Sequence, residues 1–316
     1  MVRGALKREL RVPIEGGIHL RCRIDNPAAS EVPLVLLNGA AFNLGQWDRI
    51  LRFGTWKRHL EVVRFDYAGT GGSSPRPRPV TVERLAAETV ELLDALEVER
   101  AHFFGLSQGT IVLQGIAALA PERIASAAGY GWYCGDAQEA VEAAARGIRT
   151  RVEALGQLRD IWDAPLDRAN FERLWATVYR PVVVGASWDA LSWSGRLRDL
   201  VMRRVLHPLL APTSIGAIAE WFSYCVDPEG LAAAHDWLCS GLDALQDAPV
   251  LIQHAEADDT LGVGMARALH RALPRSEAKI YGDGYGHISV AFRRDHARTV
   301  VDDHLAFLRA CRADRR

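Results

Sequence analysis

The stretch AHFFGLSQGTIVLQGIAALA, residues 101–120, changes character in its middle. Residues 101–106 form a continuous apolar run with no polar alternation, the pattern of a β-strand covered on both faces. From Thr110 onward the chain reads as a helix. Between them, Gly105-Leu106-Ser107-Gln108-Gly109 leaves room only for a tight strand-to-helix turn. A non-glycine residue at the apex of such a turn is strained, and flanking glycines let strand and helix approach closely. The turn aims the Ser107 hydroxyl out of the sheet, at the positive end of the following helix. A serine that merely caps the helix is the competing reading, and the rest of the chain has to decide between them.

The strand pattern recurs along the chain. RELRVPI and IHLRCRI, split by Gly16-Gly17, read as a hairpin. PLVLLN (33–38) and LEVVRFD (60–66) repeat the continuous apolar run. Between the latter and residue 101, Val82, Leu85, Ala86, Thr89, Leu92, Leu93 and Leu96 recur at helical spacing with acids on the other face. After residue 248 the rhythm resumes with PVLIQHA, GVGMARALHRALP, SEAKIYG and a closing helix DHARTVVDDHLAFLRACR. Alternating strand and helix implies a mostly parallel, doubly wound α/β sheet with right-handed crossovers.

The alternation is interrupted. Residues 134–245 read as mostly helical, with PVVV at 181–184 as an extended candidate. The insert holds Trp162, Trp175, Trp188, Trp193, Trp221 and Trp237. It is too long for an ordinary connection, and a helical cap over the carboxyl edge of the sheet, where open α/β sheets bind ligands, is the expected arrangement. The domain division expected is therefore a core of residues 1–133 and 246–316 and a cap of 134–245.

Composition narrows the function classes. With 49% hydrophobic and 24% charged residues the chain is expected to fold. A formal net charge of −1 gives no general attraction to nucleic acid or anionic membrane. The first residues lack the apolar run of a secretion signal and no span-length segment occurs, so a cytoplasmic location is expected. The cysteines Cys22, Cys134, Cys225, Cys239 and Cys311 are scattered and lack CxxC spacing, which suggests buried free thiols and neither a disulfide framework nor a metal site.

A serine hydroxyl needs a base to take its proton, and the base needs a partner to hold its tautomer. His287, in the glycine-rich YGDGYGHIS after the last strand, is the candidate base, whereas His254 ends a strand and reads as a satisfied structural histidine. For the acid, AEADDTL follows a strand end, and Asp258 is favoured over Asp259 and Glu256. The order Ser, Asp, His suits a strand-turn-helix nucleophile. The oxyanion of a tetrahedral intermediate needs fixed donors. The amide of Gln108 follows the serine, and in NGAAFNLGQWD Gly39 permits a turn that offers the Ala40 amide. Asn38, Gly39 and Trp132 are the expected substrate contacts.

Together LLNGAAFN, FDYAGTGGSS, GLSQG, HAEADDTL and GYGH, in that order, resemble the segments of an α/β-hydrolase of the serine-nucleophile branch, over about residues 8–133 and 246–312. The resemblance implies Ser107 as nucleophile, His287 as base, Asp258 as orienting acid, and Ala40 and Gln108 as oxyanion donors. Asn38-Gly39 replaces the family's usual His-Gly, which is similar to enol-lactonases and to acyltransferases that build hydroxyacyl ester precursors of rhamnolipids. Ala68 replaces the usual arginine of the D-x-R-G turn, removing an ion-pair donor. Serine at the elbow argues against dehalogenase or epoxide hydrolase chemistry, which uses aspartate.

The expected function is a serine hydrolase of a neutral, bulky, apolar ester or lactone, needing no cofactor or metal and no nucleic-acid or membrane partner. The insert carries 15 acids against 11 bases, which disfavours a polyanionic thioester such as an acyl-CoA. Acyltransferase, cyclase or thioesterase chemistry on the same triad, and a non-catalytic ligand-binding homologue, are the alternatives. Homo-oligomerisation is left open.

Overall fold

A computed structural model describes residues 7–76, 80–179, 203–204, 206–210, 214–225, 231, 234–258, 260–282, 284–287 and 289–313. The extended candidate at 181–184, Trp188, Trp193 and Asp259 lie outside these described residues.

The centre is an eight-stranded sheet of order β1-β2-β4-β3-β5-β6-β7-β8. Its strands are β1 (Lys7–Ile14), β2 (Ile18–Asp25), β3 (Leu34–Leu37), β4 (Val62–Phe65), β5 (Ala101–Leu106), β6 (Ile124–Tyr130), β7 (Val250–Ala255) and β8 (Glu277–Tyr281). The first two form the hairpin expected around Gly16-Gly17, and β2 also meets β4 antiparallel. All other pairs are parallel. Every residue of β3, β4, β5, β6 and β7 is buried, as continuous apolar runs require when helices cover both faces. The sixth strand, IASAAGY, carries no β-branched run and gives a weak periodic signal. Gly129 within it is dictated by packing, since a Cβ there would lie 2.7 Å from the Thr110 methyl.

Helices α1 (Trp47–Phe53) and α10 (Arg294–Ala313) cover one face, where Trp47, Ile50, Val300, Val301 and Leu305 join the apolar side chains of the sheet. Helices α2 (Val82–Ala95) and α3 (Gln108–Leu119) cover the other. Thr81 caps α2 by accepting the Arg84 amide, and the expected apolar stripe faces inward. Glu88 departs from the expectation of acids on the outer face of α2. It is fully buried, and its carboxylate takes the Arg76 guanidinium at 2.6 Å.

Between β6 and β7 the described elements are helical: α4 (Gln138–Gly156), α5 (Arg168–Leu174) followed by a π-helical turn at Trp175–Tyr179, α6 (Ile215–Cys225) and α7 (His235–Leu245). Their apolar residues, including Phe171, Trp175 and Trp221, join the same cluster as the sheet face beneath. The last of them, α7, rests directly on α3. A Cβ on Gly241 would lie 2.1 Å from the Gln114 carbonyl, and one on Gly115 would meet the Trp237 ring at 2.7 Å. Sandwiched between sheet and α7, α3 is buried all round from Gln108 to Ala117. The chain closes with α8 (Gly264–Ala272), β8, a short α9 (Ser289–Phe292) and α10. No helix among the described residues is long and apolar enough to cross a membrane. Cys22 and Cys134 are buried free thiols, and burial pushes the Cys22 thiol up to about 12.

Candidate active site

Ser107 sits between β5 and α3 with φ +53° and ψ −117°, a conformation that costs a non-glycine residue about 1–3 kcal/mol. The surroundings hold it there. Its amide donates to the Tyr130 carbonyl at 2.9 Å, and its carbonyl accepts both the Thr110 amide and the Thr110 hydroxyl at 2.8 Å. The glycines leave no alternative. A Cβ on Gly105 would lie 2.5 Å from the Gly109 backbone, and one on Gly109 would lie 2.2 Å from the Leu37 carbonyl. The Ser107 side chain makes no capping bond to α3, which removes the capping reading.

Its hydroxyl lies 2.8 Å from His287 Nε2, and His287 Nδ1 lies 2.8 Å from Asp258 Oδ2. A carboxylate only accepts, so Nδ1 carries the proton and Nε2 presents its lone pair to the serine O–H. Asp258 is anchored by its other oxygen, which accepts the amides of Thr260 at 2.9 Å and Leu261 at 2.8 Å. Burial alone would raise this carboxyl. The adjacent His287, the bond from it, His254 and the Leu261 amide outweigh burial and hold the group well below the usual carboxylate range. Glu256, the competing acid, is exposed and paired with Arg267 at 2.8 Å.

Sequence reasoning passed over several residues that hold this arrangement. The Tyr130 hydroxyl donates to the Gly286 carbonyl at 2.9 Å and so fixes the loop that carries His287. Gly131 has φ +75°, and a Cβ on it would lie 3.2 Å from the His287 ring. A glycine after a strand end is the only sequence trace of that constraint. His254 is buried as expected. Its Nδ1 accepts the Trp132 amide at 3.2 Å and its Nε2–H donates to the Leu261 carbonyl at 2.7 Å, with Asp258 Oδ2 3.4 Å away. Burial lowers its pKa, and both partners demand the same neutral tautomer.

The loop after β3 lies beside the serine turn, since a Cβ on Gly39 would come within 3.6 Å of the Leu106 carbonyl. Among the described residues the backbone amides of Ala40 and Gln108 have no internal acceptor. The loop is pinned from below by Asp66, which accepts the Leu44 amide at 2.6 Å and the Gly72 amide at 2.8 Å.

Two expected substrate contacts are corrected. Asn38 is 1% exposed, its amide donates to the Phe65 carbonyl, and its oxygen accepts from Gln46 and Trp47, so the side chain is turned to internal partners. Trp132 is 0% exposed and its indole N–H donates to the Gly129 carbonyl at 2.9 Å. Polar groups at strand ends found partners inside the protein, which spacing does not reveal. The Gly39 amide likewise turns inward, to Gln46 Oε1 at 3.3 Å. The ion-pair donor missing at Ala68 is supplied in space by Arg76, which bonds the Ala68 carbonyl at 3.0 Å while pairing with Glu88. A cavity of about 280 Å³ opens between this turn and α6, lined by Thr70, Arg76 and Trp221 among others and by none of Ser107, Asp258 and His287.

Residues 32–292 match the sequence model of the alpha/beta hydrolase fold. The chain belongs to the α/β-hydrolase family. Relatives include 3-oxoadipate enol-lactonase 2 of Acinetobacter baylyi, 30% identical over 31% of this chain and 34% of that protein. Rhodomycin D methylesterase DauP of Streptomyces sp. (strain C5) is 33% identical over 32% of this chain and 34% of its own length. The chain spans between 25% and 36% of the length of the curated relatives it matches. Among solved structures, a hydrolase from Pseudomonas aeruginosa PA01 aligns with TM-score 0.64 and 26% identity, over 95% of this chain and 98% of that one. The enol-lactonase from Burkholderia xenovorans LB400 shares the fold with TM-score 0.65, at 22% identity and 95% and 99% coverage.

Proposed function

We propose that this α/β-hydrolase cleaves a carboxylic ester or lactone with a bulky apolar acyl group, through an acyl-enzyme on Ser107. One observation carries the reading: a single imidazole bonded at 2.8 Å to both the Ser107 hydroxyl and the Asp258 carboxylate. In the first half-reaction the serine oxygen attacks the substrate carbonyl as His287 Nε2 takes its proton. The amides of Ala40 and Gln108 receive the oxyanion, and Asp258 stabilises the imidazolium. The carbonyl re-forms, the alkoxide leaves with the proton from His287, and the acyl group stays on Ser107. Water then gives its proton to His287, attacks the ester, and releases the carboxylic acid with the serine restored.

The fold family and the lactone and methyl ester named for its relatives support this substrate class. The cap in this reading comprises the helical segments from α4 to α6, while α7 serves the core as a support for α3. A fluorophosphonate should label Ser107 in the wild type, and a panel of esters and lactones of graded bulk should show turnover that is lost in Ser107→Ala. Absence of labelling, or turnover that survives the substitution, overturns the proposal.

A further inference from the structure

At the two ends of the insert, away from the serine, three metal-binding side chains converge. Asp136 lies just past β6, where the chain leaves the sheet, and His235 and Cys239 lie on α7, which leads it back to β7. One ligand atom from each falls within 4.8 Å of the other two. His235 and Cys239 are one helical turn apart and so share a face, with Nε2 and Sγ 3.6 Å from each other. In a tetrahedral zinc site with N or O ligands near 2.1 Å and sulfur near 2.3 Å, ligand atoms stand roughly 3.5 Å apart. The histidine and cysteine already have that spacing. Asp136 is exposed, and its carboxylate oxygen lies within 4.8 Å of both.

The backbone is fitted closely to this cluster. Gly135, in the turn after β6, lies against the imidazole, since a Cβ there would lie 3.0 Å from the His235 ring. The donor set of one nitrogen, one sulfur and one oxygen suits zinc and disfavours calcium or magnesium, which want oxygen alone.

We propose that Asp136, His235 and Cys239 form a three-ligand site for zinc or a similar borderline divalent metal, with a fourth position open to water, that staples the start of the insert to the helix ending it. The metal ties Asp136, at the root of the cap, to α7 and, through the packing of Gly241 and Trp237, to the helix that begins beside Ser107. Its role is to hold the insert in register on the core; it takes no part in acyl transfer.

The test uses full-length protein stripped with a chelator, dialysed, and titrated anaerobically with cobalt(II) as a spectroscopic probe. Saturation is expected at a single equivalent, with thiolate-to-cobalt charge-transfer absorption, d–d bands of tetrahedral intensity, and displacement of both by zinc. Cys239→Ser should abolish the charge-transfer band, and His235→Ala or Asp136→Asn should weaken cobalt binding at least tenfold. Zinc should raise the melting temperature of the wild type and leave that of Cys239→Ser unchanged. Circular dichroism of the variants separates loss of the site from loss of the fold. A missing charge-transfer band in folded wild type, or an undiminished one in Cys239→Ser, overturns the proposal.

Discussion

The ends of β7 and β8 each send a histidine to the same carboxylate, and the two are put to opposite uses. His254, from β7, is sealed: the Trp132 amide fills one ring nitrogen and the Leu261 carbonyl takes the proton of the other. His287, from the loop after β8, keeps 10% of its side chain exposed and spends one nitrogen on Asp258, leaving the other to face a hydroxyl. The chemistry of an imidazole is therefore decided by the second partner. A ring with an amide on its only lone pair is a brace, and a ring with a hydroxyl there is placed for the proposed role of base. Sharing Asp258 makes the two interdependent, because the brace closes the turn on which the acid stands.

The largest effects should fall on the reactive side of this pair. Ser107→Ala and His287→Ala are each expected to lower kcat by about 10⁴-fold or more with melting temperature nearly unchanged, and the double variant to be no worse than either single one. Pre-steady-state kinetics on an accepted ester, with calorimetry as the control, checks this. Additive losses in the double variant would mean that serine and histidine do not act as one unit. Next comes Asp258→Asn, which preserves shape but offers His287 an amide, favouring the wrong tautomer. A loss on the order of 10⁴-fold in kcat is expected. A loss below tenfold would remove the carboxylate from the proposed relay.

The bracing histidine should respond in stability. His254→Leu leaves the Trp132 amide and the Leu261 carbonyl buried without their partner, at a cost of about 1–3 kcal/mol each. Denaturant titration should show that loss, while fluorophosphonate still labels Ser107 and turnover falls far less than in His287→Ala. Equal losses of turnover in folded His254→Leu and His287→Ala would dissolve the distinction between brace and base.

Much of this was legible in the sequence because the relevant forces act locally. Continuous apolar runs marked the buried strands β3, β4, β5 and β7, and Gly105 and Gly109 announced the close approach that Leu37 enforces. The chain order and loop contexts of Ser107, Asp258 and His287 pointed to residues the fold brings within hydrogen-bond distance. What stayed hidden depends on contacts distant in sequence. Asn38 and Trp132 looked like ligand contacts because their positions are right, yet both are buried and bonded inward, to Phe65, Gln46, Trp47 and Gly129. Glu88 looked like a solvated helix acid until Arg76 arrived from another loop. Asp136 meets His235 and Cys239 only because the insert brings its two ends together, a juxtaposition that no spacing rule encodes.

A third histidine extends the comparison to the case with neither role. His304 on α10 is fully buried between the rings of Trp56, Phe104 and Phe307, and neither ring nitrogen has a hydrogen-bond partner among the described residues. Burial, with His102 nearby, pulls its pKa down to about 3. A histidine with a depressed folded pKa stays neutral while its unfolded counterpart takes up a proton below about 6.5. Its cost is therefore absent at neutral pH and grows as pH falls from about 6.5 toward the folded value, at about 1.4 kcal/mol per pH unit. His304→Phe keeps the ring stack and removes the titration. Stability at pH 7 should change by less than about 1 kcal/mol, whereas at pH 4 the variant should be more stable than the parent by up to about 3 kcal/mol. Urea titrations at the two pH values read the difference. Parallel pH dependence in parent and variant would show that the imidazole already shares a proton in the folded state.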